Sequence, residues 1–97
     1  MGFQVSLLPQ AEEEIKEAFH WYFVRSQFAA DAYRTEVVAA IDGLTEDPMM
    51  WPVDDEGVRY YILQRFPYTI HYEVTGSVVT VLAVAHQRRR PGYWQAR

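Results

Sequence analysis

The chain has 97 residues, of which 49% are hydrophobic and 23% are charged. Such a length favours one domain, residues 1–97, with a single modest core that buries roughly 60–65% of the unfolded surface. The absence of cysteine excludes disulfides, thiolate metal sites and cysteine nucleophiles, and the net charge of -4 disfavours extended contact with a nucleic-acid backbone.

The N-terminal segment predicts a strand followed by a helix. In residues 3–7, apolar and polar side chains alternate, which is the pattern of a strand with one buried face. Pro9 then stands where helices accept proline, in the first turn, and three glutamates follow near the positive end of the helix. The helix is predicted to extend to about residue 24, with an apolar face formed by Ala11, Ile15, Ala18 and Tyr22.

A second helix is predicted after a short joint, residues 25–27, in which Ser26 is a suitable N-cap. The joint is short, so we expect the two helices to form an antiparallel hairpin. Asp47-Pro48 ends the second helix, because proline cannot continue it. The predicted buried face of this helix consists of Ala29, Tyr33, Val37, Ala40, Ile41 and Leu44.

The segment from residue 49 to residue 57 is predicted to be a loop. Its apolar residues, Met49, Met50 and Trp51, are expected to cover the core. The acidic run 54–56 lacks the alternating oxygen ligands and the distal acid of a calcium-binding loop. We therefore predict a solvated turn at this place and no metal site.

From Arg59 onwards the hydrophobic period changes to two, which predicts strands. The predicted strands comprise residues 59–65, 68–75 and 78–86, with Phe66-Pro67 as a joint. The third is apolar on both faces, which favours a central strand covered on both sides. The element order is β-α-α-β-β-β, so the sequence predicts an α+β domain in which a helical hairpin packs on a mainly antiparallel sheet.

Two registers of the final hairpin are compatible with the sequence. Gly76 marks a tight turn, and a two-residue loop pairs Tyr72 with Val81, whereas a three-residue loop pairs it with Thr80. A slip of one residue moves every side chain of a strand to the other face of the sheet. The register therefore decides on which face His86 lies.

Charge is distributed unevenly along the chain. Residues 1–58 contain twelve of the thirteen acidic residues and only three basic ones. Residues 59–97 contain six arginines and one acid, Glu73. This asymmetry is consistent with a basic surface that meets an anionic partner, and also with acidic helices and a basic tail that keep the protein soluble.

The N-terminus lacks the basic segment and the long apolar core of a signal peptide. No stretch of the sequence approaches the roughly 20 apolar residues that would span a membrane. Together with the absence of cysteine, these features lead us to expect a cytoplasmic protein that has no membrane partner.

Three local patterns resemble the RelE/ParE superfamily of small bacterial toxins. Residues 8–15 (LPQAEEEI) are similar to the family's opening helix, which commonly begins with proline, alanine and acidic residues. Residues 65–72 (RFPYTIHY) are similar to its middle strand, and residues 81–90 (VLAVAHQRRR) to its last strand, which often ends in histidine and arginine. The patterns occur in the family's order and together cover most of the chain.

The resemblance implies the toxin half of a type II toxin–antitoxin pair, held inactive in a hetero-oligomer by a cognate antitoxin. In this family a disordered antitoxin segment typically folds onto the toxin. Two kinds of target occur: one branch cleaves messenger RNA on the ribosome, and another inhibits DNA gyrase without covalent chemistry of its own. We expect neither branch to need a cofactor here.

A ribonuclease would need a proton-transfer group, cations for the phosphate and an acid for the leaving oxygen. His86, Arg65 and Tyr93 are the candidates for these catalytic roles. The candidates for contact with a target protein or a phosphate are Arg65, Arg88, Arg89, Arg90 and Trp94.

Structural roles compete with these functional ones. His86 could form only a local hydrogen bond, and Tyr93 and Trp94 could fold back over apolar surface. His20 and His71 are predicted to lie at the surface without a special role.

The charge pattern favours the ParE-like branch. Ribonuclease members of the superfamily are generally basic, whereas this chain is acidic and has Lys16 as its only lysine. The acids at 54–56 would repel ribosomal RNA at short range. We therefore predict a toxin that binds DNA gyrase through the basic run 85–94, with a ribosome-dependent ribonuclease and a non-toxic binding domain of the same fold as alternatives.

Overall fold

The computed structural model describes residues 2–96, and Met1 and Arg97 lie outside the described residues. The predicted order β-α-α-β-β-β is confirmed. There are also two short 3-10 helices. Pro48–Met50 lies in the loop after the helical hairpin, and Tyr93–Ala96 follows the last strand. The main elements are β1 (Gln4–Leu7), α1 (Pro9–Phe23), α2 (Gln27–Leu44), β2 (Arg59–Ile62), β3 (Tyr68–Thr75) and β4 (Val78–His86).

Local sequence explains where the two helices begin. Pro9 occupies the first turn of α1, where its missing N–H has no helical partner to lose. Before α2, the Ser26 hydroxyl accepts a hydrogen bond from the N–H of Ala29 at 3.2 Å, so the predicted N-cap is confirmed. Neither helix within residues 2–96 carries the long apolar run that a membrane crossing requires. The fully buried side chains of the hairpin are Ala11 and Ala18 of α1, and Ala30, Tyr33, Val37 and Leu44 of α2.

The four strands form one sheet in the order β1-β4-β3-β2. β4 lies inside the sheet, parallel to β1 and antiparallel to β3, which confirms the predicted central strand. β1 pairs with it only over Val78–Val81. The outer edge of the second half of β4 therefore has no strand beside it, and α1 packs there instead.

A β-bulge in β4 decides the orientation of His86. The hairpin begins in the register of a two-residue loop, with Tyr72 opposite Val81. Between Tyr72 and His71 the register shifts by one residue, which leaves Leu82 as an extra residue in β4. If the register of the Tyr72–Val81 pair continued unshifted, His86 would lie on the face away from the helices, whereas the shift places it opposite Tyr68 on the helical face.

β2 ends at Ile62, three residues before its predicted end. Leu63 instead turns into the core, where its side chain is buried. The N–H groups of Gln64 and Arg65 bond to the carboxylate of Glu36 on α2, at 2.5 and 3.2 Å. The predicted strand 59–65 is thus wrong in its last three residues, because a helix side chain takes two of their backbone donors.

An aromatic cluster closes the core between the hairpin and the sheet. Tyr33 is fully buried at its centre. The rings of Tyr22, Phe66 and Tyr68 lie 5.4–5.5 Å from that of Tyr33, measured between centroids. Most of these contacts are edge-to-face, the arrangement that the charge distribution of aromatic rings favours.

The loop after α2 is anchored by a hydrogen bond and by one aromatic side chain. The buried hydroxyl of Tyr72 donates to the carbonyl of Pro48 at 2.6 Å. Trp51 packs against an aromatic ring of β2 at 4.7 Å between centroids. Met49 and Met50 are 54% and 59% exposed, so the prediction that they cover the core is wrong. The 3-10 helix directs their side chains outward, and Trp51 takes the covering position.

Candidate functional site

The chain reverses after β4 into a segment of residues 87–96, called the tail below. The N–H of Arg89 bonds to the carbonyl of His86 at 2.9 Å, which forms a turn. Gly92 then has a φ of 75°, a conformation that glycine adopts most readily. The 3-10 helix Tyr93–Ala96 follows. The reversal places the aromatic residues of the tail against the sheet rather than in solvent.

His86 is half-buried at the end of β4. Its ring packs edge-on against Tyr68, with 5.2 Å between ring centroids. Its Nδ1 accepts a hydrogen bond from the N–H of Arg88 at 3.0 Å, so the neutral ring carries its proton on Nε2. The local hydrogen bond expected of a structural histidine is therefore present, and it occupies the ring nitrogen that carries the free lone pair.

A cleft of about 530 Å³ lies between α1 and the end of β4. Glu14 and Glu17 line its helical side, and His86 and Arg89 line the opposite side. Two carboxylates beside an arginine make an unfavourable path for the backbone of a nucleic acid, because they repel phosphates at short range. The same mixture of charges suits a protein segment that carries both basic and acidic groups.

Tyr93 connects the tail to α1. Its hydroxyl donates to Oε2 of Glu14, whose other oxygen accepts the N–H of Val84 at 2.9 Å. The guanidinium of Arg89 lies over the Tyr93 ring, 3.8 Å from its centroid, within the range of a cation–π contact. Tyr93 is thus held from its hydroxyl end and from one ring face.

Trp94 folds back on the sheet and covers His71. The two rings lie 4.0 Å apart between centroids with 32° between their planes. Burial lowers the pKa of His71, while the carboxylates of Asp54 and Glu14 act in the opposite direction. The prediction that His71 is a simple surface residue is wrong, because the returning tail lies on it.

The acidic turn after residue 53 lies beside the tail. Oδ1 of Asp54 accepts the N–H groups of Glu56 and Val58 at 2.8 and 3.0 Å, which stabilises the turn through its own backbone. Nε2 of Gln95 donates to Oε1 of Glu56 at 3.2 Å. The turn thus contributes an acceptor to the docked tail.

The predicted cationic residues occupy two separate places. Arg88, Arg89 and Arg90 are exposed on the turn that follows β4. Within residues 2–96, the guanidinium groups of Arg88 and Arg90 make no ion pair or hydrogen bond. Arg65 is also exposed, but it lines a shallow depression with Glu36 on α2, outside the cleft that contains His86 and Tyr93. The structure therefore brings together His86, Tyr93 and Arg89, and leaves Arg65 apart.

Glu14 and Glu36 form hydrogen bonds with the predicted site residues Tyr93 and Arg65, and the sequence patterns did not single them out. Glu14 was interpreted only as an acid near the start of a helix. Its position offered a further signal: it lies three residues after Ala11 and four before Ala18, so it shares the buried face of α1. A carboxylate on such a face requires hydrogen-bond donors, and the edge of β4 and the tail supply them.

In comparison with known families, the chain matches the ParE toxin of the type II toxin–antitoxin system parDE over residues 5–91. Among solved structures, the chain is similar to one described as the chromosomal ParDE TA system from P. aeruginosa. The TM-score is 0.76 at 18% identity, with 87% of this chain and 95% of that chain covered, a likeness of fold. No protein with a curated description matches in sequence. The family match covers both long helices and all four strands except the first residue of β1, and the chain therefore belongs to the ParE toxins of type II toxin–antitoxin systems.

Proposed function

We propose that this toxin acts in the cytoplasm by binding a protein target, DNA gyrase, through the basic turn after β4. The observation that carries the proposal is the charge arrangement around that turn. Arg88 and Arg90 are exposed, while the adjoining cleft has Glu14 and Glu17 on its opposite wall. A protein surface can match both signs of charge at once, whereas the backbone of a nucleic acid offers only negative charge.

The same geometry supports binding over RNA cleavage. Cleavage would need His86, Arg65 and Tyr93 around a single phosphate. Arg65 lines a different depression, and the Tyr93 hydroxyl is directed at the carboxylate of Glu14. A phosphate at His86 would have to approach next to that carboxylate.

The direct test is inhibition of gyrase supercoiling by the purified toxin. We expect inhibition by the native chain, and at least a tenfold weaker effect when Arg88, Arg89 and Arg90 are all replaced by alanine. Arg34→Ala, which removes an exposed cation from α2, is the matched control and should inhibit like the native chain. Unaffected gyrase at micromolar toxin would overturn the assignment of the target.

Translating ribosomes provide the opposing test. We expect messenger RNA to stay intact when the toxin is added to a translation extract. Codon-positioned cuts that disappear in both His86→Ala and Arg65→Ala would instead establish the ribonuclease alternative. Normal growth of bacteria that accumulate the folded chain would favour a non-toxic binding domain.

We further propose that a cognate antitoxin neutralises the toxin by covering its apolar surface in a hetero-oligomer. The tip of the helical hairpin presents Trp21, Val24 and Phe28, which are 51%, 61% and 85% exposed. Clustered apolar groups of this kind mark protein-binding surfaces. The protein encoded beside the toxin gene should raise the melting temperature of the toxin, because a ligand of the folded state stabilises it. A melting temperature unchanged by a saturating amount of that protein would contradict the proposal.

A further inference from the structure

Glu14 occupies an unusual place for a carboxylate on a helix. It lies half-buried on the face of α1 that packs against the sheet, between two buried alanines, Ala11 and Ala18. Two of its partners come from segments distant in the chain. Oε1 accepts the N–H of Val84 in β4, and Oε2 accepts the hydroxyl of Tyr93 in the tail.

The Val84 contact follows from the topology of the sheet. β1 pairs with β4 only as far as Val81, so the next outward N–H groups of β4 have no strand beside them. A bare backbone donor at a partly buried edge is costly, and Glu14 supplies an acceptor at 2.9 Å. This bond fixes one carboxylate oxygen and directs the other toward the tail.

Through its contact with Glu14, Tyr93 connects the edge of β4 with the basic turn. The tyrosine ring supports the guanidinium of Arg89 at 3.8 Å, on the cleft that also contains His86. The order of contacts is therefore β4 edge, Glu14, Tyr93 and Arg89. Loss of the carboxylate would remove the hydrogen bond that fixes the hydroxyl end of the ring, and would loosen the orientation of Arg89.

We propose that Glu14 is a positioning residue for target binding, which ties the tail to β4 so that Tyr93 and Arg89 are held in the orientation that the target recognises. The inference rests on the proposed function, since it takes the basic turn as the contact surface. Glu14 would thus contribute to target binding from α1, although it lies outside the cationic surface that contacts the target.

The experiment combines amide hydrogen exchange of the tail with gyrase inhibition, in the full chain. We expect Glu14→Ala to raise the toxin concentration for half-inhibition about tenfold, and to speed exchange at the N–H groups of Tyr93 and Gln95. Tyr93→Phe keeps the ring under Arg89 but removes the hydroxyl, and should reproduce both effects while leaving Val84 protected. The double variant should be no worse than Glu14→Ala alone, because both changes break one connection.

Glu13→Ala is the matched control, since it removes an exposed acid from the neighbouring position of α1 and should change neither readout. Glu14→Asp keeps the charge but shortens the reach, so a tail that stays loose in this variant would identify geometry rather than charge as the requirement. Native-like inhibition and native-like tail exchange in both Glu14→Ala and Tyr93→Phe would overturn the inference. Failure of the native chain to inhibit gyrase would overturn the proposed target instead, while the exchange measurement would still test the connection from Glu14 to the tail.

Discussion

Tyr33 and Tyr72 are both fully buried, but they differ in whether the hydroxyl group has a hydrogen-bond partner. Burial raises the pKa of both, to about 12 for Tyr72, so each is a neutral donor at physiological pH. The Tyr72 hydroxyl bonds to the carbonyl of Pro48 at 2.6 Å, whereas the Tyr33 hydroxyl has no hydrogen-bond partner among residues 2–96. The contrast gives a paired test of what a buried hydroxyl contributes to stability.

Tyr72→Phe should lower the free energy of unfolding by about 1–3 kcal/mol, because the Pro48 carbonyl is left buried without its donor. Tyr33→Phe should leave that free energy unchanged or raise it, since it removes a polar group that is buried without compensation. Urea denaturation of the two variants and the native chain measures both effects. Equal destabilisation by the two substitutions would contradict the assigned roles.

His71 makes the stability of the fold depend on pH. Burial lowers its pKa in the folded state below the ordinary value of 6.5, so the unfolded chain binds a proton more readily. The neutral ring therefore contributes stability that is fully present above pH 6.5 and declines as the pH falls below that value. Denaturation between pH 7.5 and 5.0 should show a steeper loss for the native chain than for His71→Phe, which keeps an aromatic ring beneath Trp94. Parallel pH profiles would show that the proton on His71 is not involved.

At the level of elements, the loop between β2 and β3 depends on one carboxylate of α2. Glu36 accepts the N–H groups of Gln64 and Arg65 and so replaces the pairing that β2 loses after Ile62. Glu36→Ala should lower the free energy of unfolding by roughly 1–3 kcal/mol and speed hydrogen exchange at these two N–H groups. Glu46→Ala, at an exposed position after α2, serves as the control and should do neither.

The helical hairpin and the central strand were predictable from the sequence because their signals are local. Pro9 and Ser26 mark helix starts, and the apolar run of β4 indicates a covered strand. The same apolar run that made β4 predictable hides the bulge at Leu82. A strand that is apolar on both faces shows no alternation, so nothing in it marks the residue at which the phase changes.

The candidate site could be predicted in part. The run after His86 identified the basic turn and the aromatic residues of the tail, but not how they are held. That depends on contacts between segments far apart in sequence, such as Glu14 with Tyr93 and His71 with Trp94. Such contacts follow from the fold as a whole, which local patterns do not specify.

Considered as a whole, the molecule exposes several large apolar side chains at one end, the tip of the helical hairpin. Phe28 is 85% exposed at the tip of the hairpin, beside Trp21 and Val24. We expect the isolated toxin to self-associate as its concentration rises, and Phe28→Gln to reduce this association without a change in melting temperature. Sedimentation velocity measures the effect, and Met50→Gln, at a separate exposed site, is the control. Equal association of all three proteins would contradict this role for the tip.

The bulge in β4 restricts how the chain can change in length during evolution. Between the Tyr72–Val81 and Tyr68–His86 pairs, β4 has one residue more than β3, so the loss of one residue would give a continuous ladder that keeps His86 on the helical face. One added residue would instead turn Val84 and His86 to the opposite face, or require a second bulge. The exposed turn at 54–57 carries no such constraint, since exposed loops tolerate added residues. Relatives that keep this site should therefore differ in length at the turn, and between the hairpin and the histidine should have either the present number of residues or one fewer, even where the residues themselves have been replaced.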